Sequence, residues 1–406
     1  MKFDMTEHCP HRLPAEWEAQ GFIQLTWPHE GTDWLPYLQE AQHCFLQVAK
    51  EIVKREDLLI VAPDTTKVKK QLILAGILNN DTRYLRGETG ALSFSVDKHH
   101  IVLYECPTND TWARDHAFIT TTGGNGPVLN DFCFNGWGQK FAADKDNAIN
   151  ECLLRDRIIC KSDGAASEKE SKRSQLSLSR VAKEEEQSST DNHSIPLYSD
   201  RRKTVLEGGS IESNGKGILL STASCLLAPN RNGFNLKEEA EDMLRQTFDA
   251  KQVHLLEHGY LPGDDTDGHI DTLARLCPDD TIVYVKSTDK NDAAHDELQK
   301  MEEELHALRT PEGKAFRLVP LPTPSPMHDD DGSLLPATYA NFLILNGAVL
   351  MPTYREPETD RLALKILHTV FPDREIIGVD CSVLVRQHGS LHCITMQYPS
   401  CVSLAL

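Results

Sequence analysis

The chain has 406 residues, of which 42 are basic and 61 acidic, for a formal charge of −19. That balance excludes a protein built to grip a phosphate backbone, which needs a basic face. It suits a cationic small-molecule partner, although ordinary solubility is the simpler account of net acidity. Apolar residues at 40% and charged residues at 25% are globular values, and the length allows one large domain or two. No apolar run is long enough to span a membrane, and the first residues carry no signal-like stretch. The 11 cysteines are odd in number and scattered without a C-x-x-C pair, which fits reduced thiols in a cytoplasmic protein.

The chain alternates amphipathic helices with short apolar strands. Residues 34–55 put Leu35, Leu38, Ala41, Phe45, Val48, Ala49 and Ile52 on one helical face, and a strand follows at 58–62. A helix at 66–78 leads to a strand at 101–106, and residues 144–159 read as a helix. From 162 to 193 the composition turns to Ser, Lys, Glu and Asp without aromatics, too polar to offset chain entropy, so this stretch reads as a mobile insertion in a folded domain. Then come a strand at 195–198, a helix at 235–249, a strand at 253–257, a helix at 292–308, a strand at 316–321, a helix at 359–371 and a strand at 375–379. The last four strands recur at a step of about 60 residues, as stacked or circular modules would; an ordinary α/β chain alternates too.

Four polar clusters follow strands, where a rigid scaffold commonly presents chemistry. The first, Pro107-Thr108-Asn109-Asp110-Thr111-Trp112-Ala113-Arg114-Asp115, sets two carboxylates beside an indole, a combination suited to a planar cation. An Asp–Arg pair tying a loop is the plainer reading. The second, Glu207-Gly208-Gly209-Ser210, allows a tight bend or a close approach to a ligand, and lacks the Gly-Lys-Ser/Thr end of a phosphate loop. The third, Gly263-Asp264-Asp265-Thr266-Asp267-Gly268-His269-Ile270-Asp271, is not a calcium loop, since its twelfth position counted from Asp264 is Arg275. On an extended segment His269 and Asp271 would share a face and serve one ligand. The fourth, Gln387-His388-Gly389-Ser390-Leu391-His392-Cys393, offers a cysteine after a glycine-containing turn, either a nucleophile or a buried small hydrophobe.

Taken in order, together with Arg12-Leu13-Pro14-Ala15-Glu16-Trp17-Glu18 and Trp27-Pro28, these clusters resemble the agmatine deiminase and bacterial-type peptidylarginine deiminase family of the guanidine-modifying (pentein) superfamily. The resemblance spans the chain outside 162–193. It implies an α/β fold, a five-bladed pseudo-symmetric propeller of ββαβ modules, in a single domain over 1–406. It also implies Cys393 as nucleophile, Asp115 and Asp271 as guanidinium-binding carboxylates, His269 as acid and base, and Glu207 as their supporting acid. Trp112, Asp110 and Trp27 would contact substrate. No metal or organic cofactor is implied. The implied reaction is hydrolysis of agmatine to N-carbamoylputrescine and ammonia through a thiouronium on Cys393.

The run Gln387-His388-Gly389-Ser390-Leu391 departs from the Gly-rich loop of many agmatine-specific members, which keeps free or peptidyl arginine open as substrates. Two further alternatives are an amidinotransferase sharing the covalent intermediate and a non-enzymatic scaffold. A homo-oligomer is the base-rate expectation for assembly. Neither nucleic acid nor a membrane is expected as a partner.

Overall fold

The computed structural model describes residues 11–79, 84–86, 91–162 and 194–406; the polar stretch expected as an insertion falls, from 163 to 193, outside them. The fold is α/β and repeats one unit. A strand pairs antiparallel with a second, a helix crosses over, and a third strand lies parallel to the second. Glu212–Ser213, Ile218–Thr222, helix Lys237–Phe248 and Gln252–Leu256 form one such unit. Ala274–Cys277, Thr281–Lys286, His295–Ala307 and Arg317–Pro322 form the next. Leu343–Leu345, Ala348–Thr353, Pro357–Val370 and Glu375–Asp380 form a third. Ile119–Gly123, Gly126–Cys133, helix Ile149–Arg155 and Leu197–Val205 follow the same plan.

The remaining unit joins the two ends of the chain. Thr395–Pro399 pairs antiparallel with Gln20–Thr26, helix Leu38–Val53 crosses over, and Asp57–Ala62 lies parallel to Gln20–Thr26. Strand His99–Glu105 extends this sheet beyond Asp57–Ala62. Parallel neighbours require such crossovers, and a helix over the sheet buries the middle strand on both faces. Ile218–Thr222, Thr281–Lys286 and Ala348–Thr353 are accordingly buried almost throughout, each around a run of three or four consecutive apolar residues.

Several elements differ from the sequence reading for identifiable reasons. Residues 34–37 do not join the first helix: Leu35–Tyr37 form a separate 3-10 turn around Pro36, and Leu35, expected on the buried face, is 60% exposed. The helix expected over 144–159 is only Ile149–Arg155, because Arg157 adopts a left-handed φ of 53° that ends it. The next residues become strand Ile159–Lys161, paired with Val402–Leu404. Strand Leu197–Val205 outruns the expected 195–198 because its charged middle lies exposed, where apolar patterning gives no signal. No helix among the described residues is long and apolar enough to cross a membrane.

Arg275 ties several units together. Its guanidinium donates to Glu212, to Glu16 at 2.5 Å and to the carbonyls of Ala340 and Phe342 at 3.1 and 2.6 Å, and it stacks 4.6 Å over Phe342. Burial already pushes the Glu212 carboxyl up to about 8 against the pull of Arg275. Arg275→Met leaves that carboxylate buried without its partner, and loss of about 3–5 kcal/mol is expected. Urea denaturation should show a lower midpoint at unchanged slope.

Candidate functional site

The clusters singled out in the sequence occupy equivalent places, each on the connection that enters the first strand of a unit. Residues 107–118 lead into Ile119–Gly123, and 206–211 lead into Glu212–Ser213. Residues 257–273 precede Ala274–Cys277, and 381–394 precede Thr395–Pro399. The corresponding connection before Leu343–Leu345 supplies Asn341, which the sequence reading missed. Its signal was positional: the unit had four polar entrances and a fifth was due.

Asp115 sits in the one-turn helix Ala113–His116 and is buried. Trp137 Nε1–H donates to its Oδ2 at 3.0 Å, and the Gly209 backbone N–H donates to its Oδ1 at 3.0 Å. Trp137 was also missed. The run Asn135-Gly136-Trp137-Gly138 holds it in a left-handed conformation with φ of 53°, a costly backbone state for an aromatic residue that marks a constrained position. Asp110 accepts from Trp112 Nε1–H at 3.1 Å and from the Thr111 N–H at 2.8 Å. Trp112 and Trp137 meet edge to face, their centroids 6.5 Å apart.

His269 and Asp271 are both fully buried. They do not lie on an extended strand. Residues Ile270–Thr272 form a 3-10 turn, prepared by Asp264, whose carboxylate accepts from Thr266 Oγ1 at 2.6 Å and from the Gly268 N–H at 2.6 Å. The dense aspartate cluster therefore divides its labour. Asp264 builds the turn, Asp267 pairs with Lys140 and Arg231, and Asp271 faces the buried site. Glu207 is paired on both oxygens with Arg231 Nε–H at 3.0 and 3.1 Å. Its carboxylate also lies within 4.8 Å of His269 and the Cys225 thiol.

Cys393 Sγ lies 3.8 Å from Asp271 Oδ2 and 3.4 Å from Asn341 Oδ1. Asn341 Oδ1 also accepts from the backbone N–H groups of His392 and Cys393 at 2.9 and 3.3 Å, fixing the loop that carries the thiol. His269 Nδ1 is 3.7 Å from Asp115 Oδ1. Gly209 closes the group: a Cβ there would fall 2.7 Å from His269 Nδ1, 3.0 Å from Asp115 Oδ1 and 3.1 Å from Asp271 Oδ2. The structure thus gathers Asp115, Glu207, His269, Asp271 and Cys393 from four distant segments. Both ring nitrogens of His269 and Oδ1 of Asp271 are buried without a hydrogen-bond partner among the described residues. Unpaired buried polar atoms are costly in a finished structure, and such a set is matched to a polar ligand.

The charges depend on one another. Burial, with the neighbouring Asp271 and Asp115 charges, pushes the Cys393 thiol well above its ordinary range. Burial pulls His269 down, but Asp115, Cys225 and Glu207 outweigh it and push the imidazole up to about 10. Burial raises Asp115 to about 6 against the pull of His269. Burial raises Asp110 to about 6 as well. Asp271 stays below its usual value despite burial, because His392 and the nearby cations favour its charged form.

Cys393, Asp115, Asp110 and Trp112 line a cavity of about 280 Å³, with Trp137 and Phe141 as an aromatic wall. Its lining also includes Asp33, Asp265, Asp329, Arg386 and His388. Arg386 pairs with Asp329 and Asp330 and stacks 4.3 Å over Tyr37. Trp27 is a correction. It is 2% exposed, packs edge-on against Phe45 and donates to Gln71 at 2.8 Å. It is a core residue and does not line this cavity. Among the described residues, two groups have the composition of a metal ligand set, Glu207–Cys225–His269 and Glu16–Glu212–His392. In each, arginine guanidinium groups already pair with the carboxylates.

A family model described as Porphyromonas-type peptidyl-arginine deiminase matches residues 12–399. Among solved structures, one titled as the "Putative Arginine Deiminase" of Porphyromonas gingivalis is 40% identical, covers 96% of this chain and 98% of its own, and superposes with a TM-score of 0.77. An agmatine deiminase from C. jejuni, a cysteine-to-serine variant with substrate bound, is 31% identical over 98% of each chain with a TM-score of 0.75. The protein named "Putative agmatine deiminase" in Shewanella baltica is 27% identical over 96% of this chain and 94% of its own.

Proposed function

The chain belongs to the Porphyromonas-type peptidyl-arginine deiminase family, and from that premise we propose that it hydrolyses agmatine to N-carbamoylputrescine and ammonia. One observation carries the reading. A thiol, an imidazole and two buried carboxylates from distant segments meet beside a small cavity, with polar atoms of His269 and Asp271 left unpaired. Asp115 and Asp271 would accept N–H groups from the guanidinium, fixing its plane and balancing its charge. As the guanidinium binds, the Cys393 thiol gives its proton to solvent, the proton that finally makes ammonia ammonium, and its sulfur bonds to the central carbon as the C=N electron pair moves onto nitrogen. The C–N bond then breaks, and ammonia leaves with a proton from His269. His269, now neutral, takes a proton from water as its oxygen adds to the thiouronium carbon. Cleavage of the C–S bond releases the ureido product and returns the thiol. The sum is guanidinium plus water giving a ureido product plus ammonium.

The lining carboxylates of Asp33 and Asp265, with Arg386 already engaged by Asp329 and Asp330, favour a substrate whose tail ends in an amine over one ending in a carboxylate. The same reading makes the five units the blades of an α/β propeller around this cavity, in one domain over 1–406. The pairing of Thr395–Pro399 with Gln20–Thr26 supports such a closure. Ureido product and ammonia should be measured with agmatine, free arginine and an arginine peptide, without added amine. Agmatine should give the highest kcat/KM. Ammonia release only with an acceptor amine would point to amidino transfer, and no ureido product from any of the three would refute deimination.

A further inference from the structure

His392, next to the nucleophile, is as buried as the site itself and takes no part in the reaction described above. Its Nδ1 lies 2.8 Å from Asp271 Oδ2, the oxygen nearer to Cys393, while Oδ1 of the same carboxylate is the atom without a partner. The other edge of the ring is equally held. Nε2 lies 2.8 and 3.0 Å from the two oxygens of Glu16 and 3.1 Å from Arg275 Nη2. Glu16 is fixed in turn by Arg114 at 3.0 Å, Arg275 at 2.5 Å and Gln397 at 3.0 Å. Asn341 pins the backbone beneath the ring. The result is a line from the N-terminal segment through an imidazole to a carboxylate, ending beside the Cys393 thiol.

We propose that His392 is a positioning residue whose Nδ1–H keeps the Asp271 carboxylate charged and aimed, with Glu16 and Arg275 holding the ring from behind. The inference rests on the deimination reading. The charged and titratable groups around Asp271 are His392, His269, Arg275, Cys393, Asp115 and Glu212. Two of these are carboxyl groups and one is a thiol that must lose its proton, so a buried Asp271 without its donor would itself take a proton. Protonated, it presents an O–H where the guanidinium needs an acceptor. Burial alone would raise it; the His392 hydrogen bond is foremost among the contributions that hold it down. The motif around Glu16 and the histidine before the nucleophile thereby acquire one shared purpose.

The test compares His392→Phe, which keeps a ring and loses both nitrogens, with His392→Asn, whose side-chain amide restores a donor near Nδ1. In the Phe variant Asp271, fully buried and without its donor, should titrate above Asp115, so the acid limb of the kcat/KM profile should move up from the Asp115 value of about 6, with activity regained as pH rises. In the Asn variant the limb should return toward wild type. A purely structural role would lower activity equally at every pH. A folded Phe variant with the wild-type limb, or an Asn variant no better than Phe, would overturn the proposal. If the Phe variant does not fold, His392→Gln takes its place, since its longer amide reaches toward Glu16 and not Asp271. In parallel, [γ-13C]aspartate labelling, with the resonance assigned by its loss in Asp271→Asn, reads the Asp271 charge without turnover. It should titrate at higher pH in the Phe or Gln variant than in wild type, and an unchanged titration refutes the assignment. A wild type inactive on every guanidine would sink the deimination reading while this titration still decides the place of His392.

Discussion

Cys393→Ala is expected to lower turnover of agmatine by about 10⁴-fold or more, because the covalent route loses its nucleophile and no other thiol is among the described residues lining the cavity. Folding should persist, since the side chain removed is small and the loop is held by Asn341 through backbone N–H groups. Matching thermal denaturation curves would establish that. The electrostatics add a sharper expectation. In the free protein the thiol is held well above its ordinary range by burial and by two carboxylates. Neutral iodoacetamide should therefore alkylate Cys393 slowly at pH 7. A cationic haloacetamidine should react much faster, because its amidinium offsets the Asp115 and Asp271 charges as it binds and so favours the thiolate. Agmatine should protect against it, and Asp115→Asn should erase the cationic reagent's advantage. Equal rates for the two reagents would remove the account of how the thiolate forms. The pH dependence follows with its signs. Asp115, raised to about 6, takes a proton as pH falls through that value, and guanidinium binding weakens. His269, near 10, keeps the proton needed by the leaving group until pH rises to about 10. Activity should be lost on both sides of that interval.

What the sequence revealed about this site depended on local residue chemistry. Asp115, His269, Asp271 and Cys393 each stand in a polar run after a strand, each run admitted a plain structural reading, and the family resemblance carried by their order is what implied one shared ligand. Trp137 and Asn341 were hidden because each acts through a contact with a partner far away in the chain: an indole N–H to Asp115, an amide oxygen under Cys393. Arg231 was hidden for the same reason, as a partner of Glu207 and not a feature of its own segment. Trp27 misled in the opposite direction. The resemblance implied a substrate contact for it, but its indole N–H is satisfied by Gln71 inside the core. In the fold, crossover helices and third strands were readable from apolar periodicity. The first and middle strands of the units were not, the middle ones because a short apolar run carries no period that marks it as a strand. Glu212–Ser213 and Leu343–Leu345 are two and three residues long, too short for any period to register.

Gly209→Ala is expected to cost about 10²-fold or more in kcat while the protein stays folded. The run Glu207-Gly208-Gly209 admits two readings from sequence alone, a plain turn or a close approach to something else. The structure supplies the something else: the added methyl would stand 2.7 Å from His269 Nδ1, 3.0 Å from Asp115 Oδ1 and 3.1 Å from Asp271 Oδ2. Two of the three have no easy way out. Asp115 is held by Trp137 and by the Gly209 N–H itself, and Asp271 is held by His392. His269, with neither nitrogen hydrogen-bonded among the described residues, is the group that must move. Overpacking of this kind costs about 1–3 kcal/mol of stability, whereas displacing the acid–base group strikes the chemistry directly. Gly76→Ala is the matched control. Its left-handed φ of 68° strains an alanine by about 1–2 kcal/mol, but nothing lies within 4 Å of the new methyl. It should lower the melting temperature and leave kcat unchanged. Wild-type kcat in a folded Gly209→Ala protein would mean that His269 is not poised where its neighbours place it.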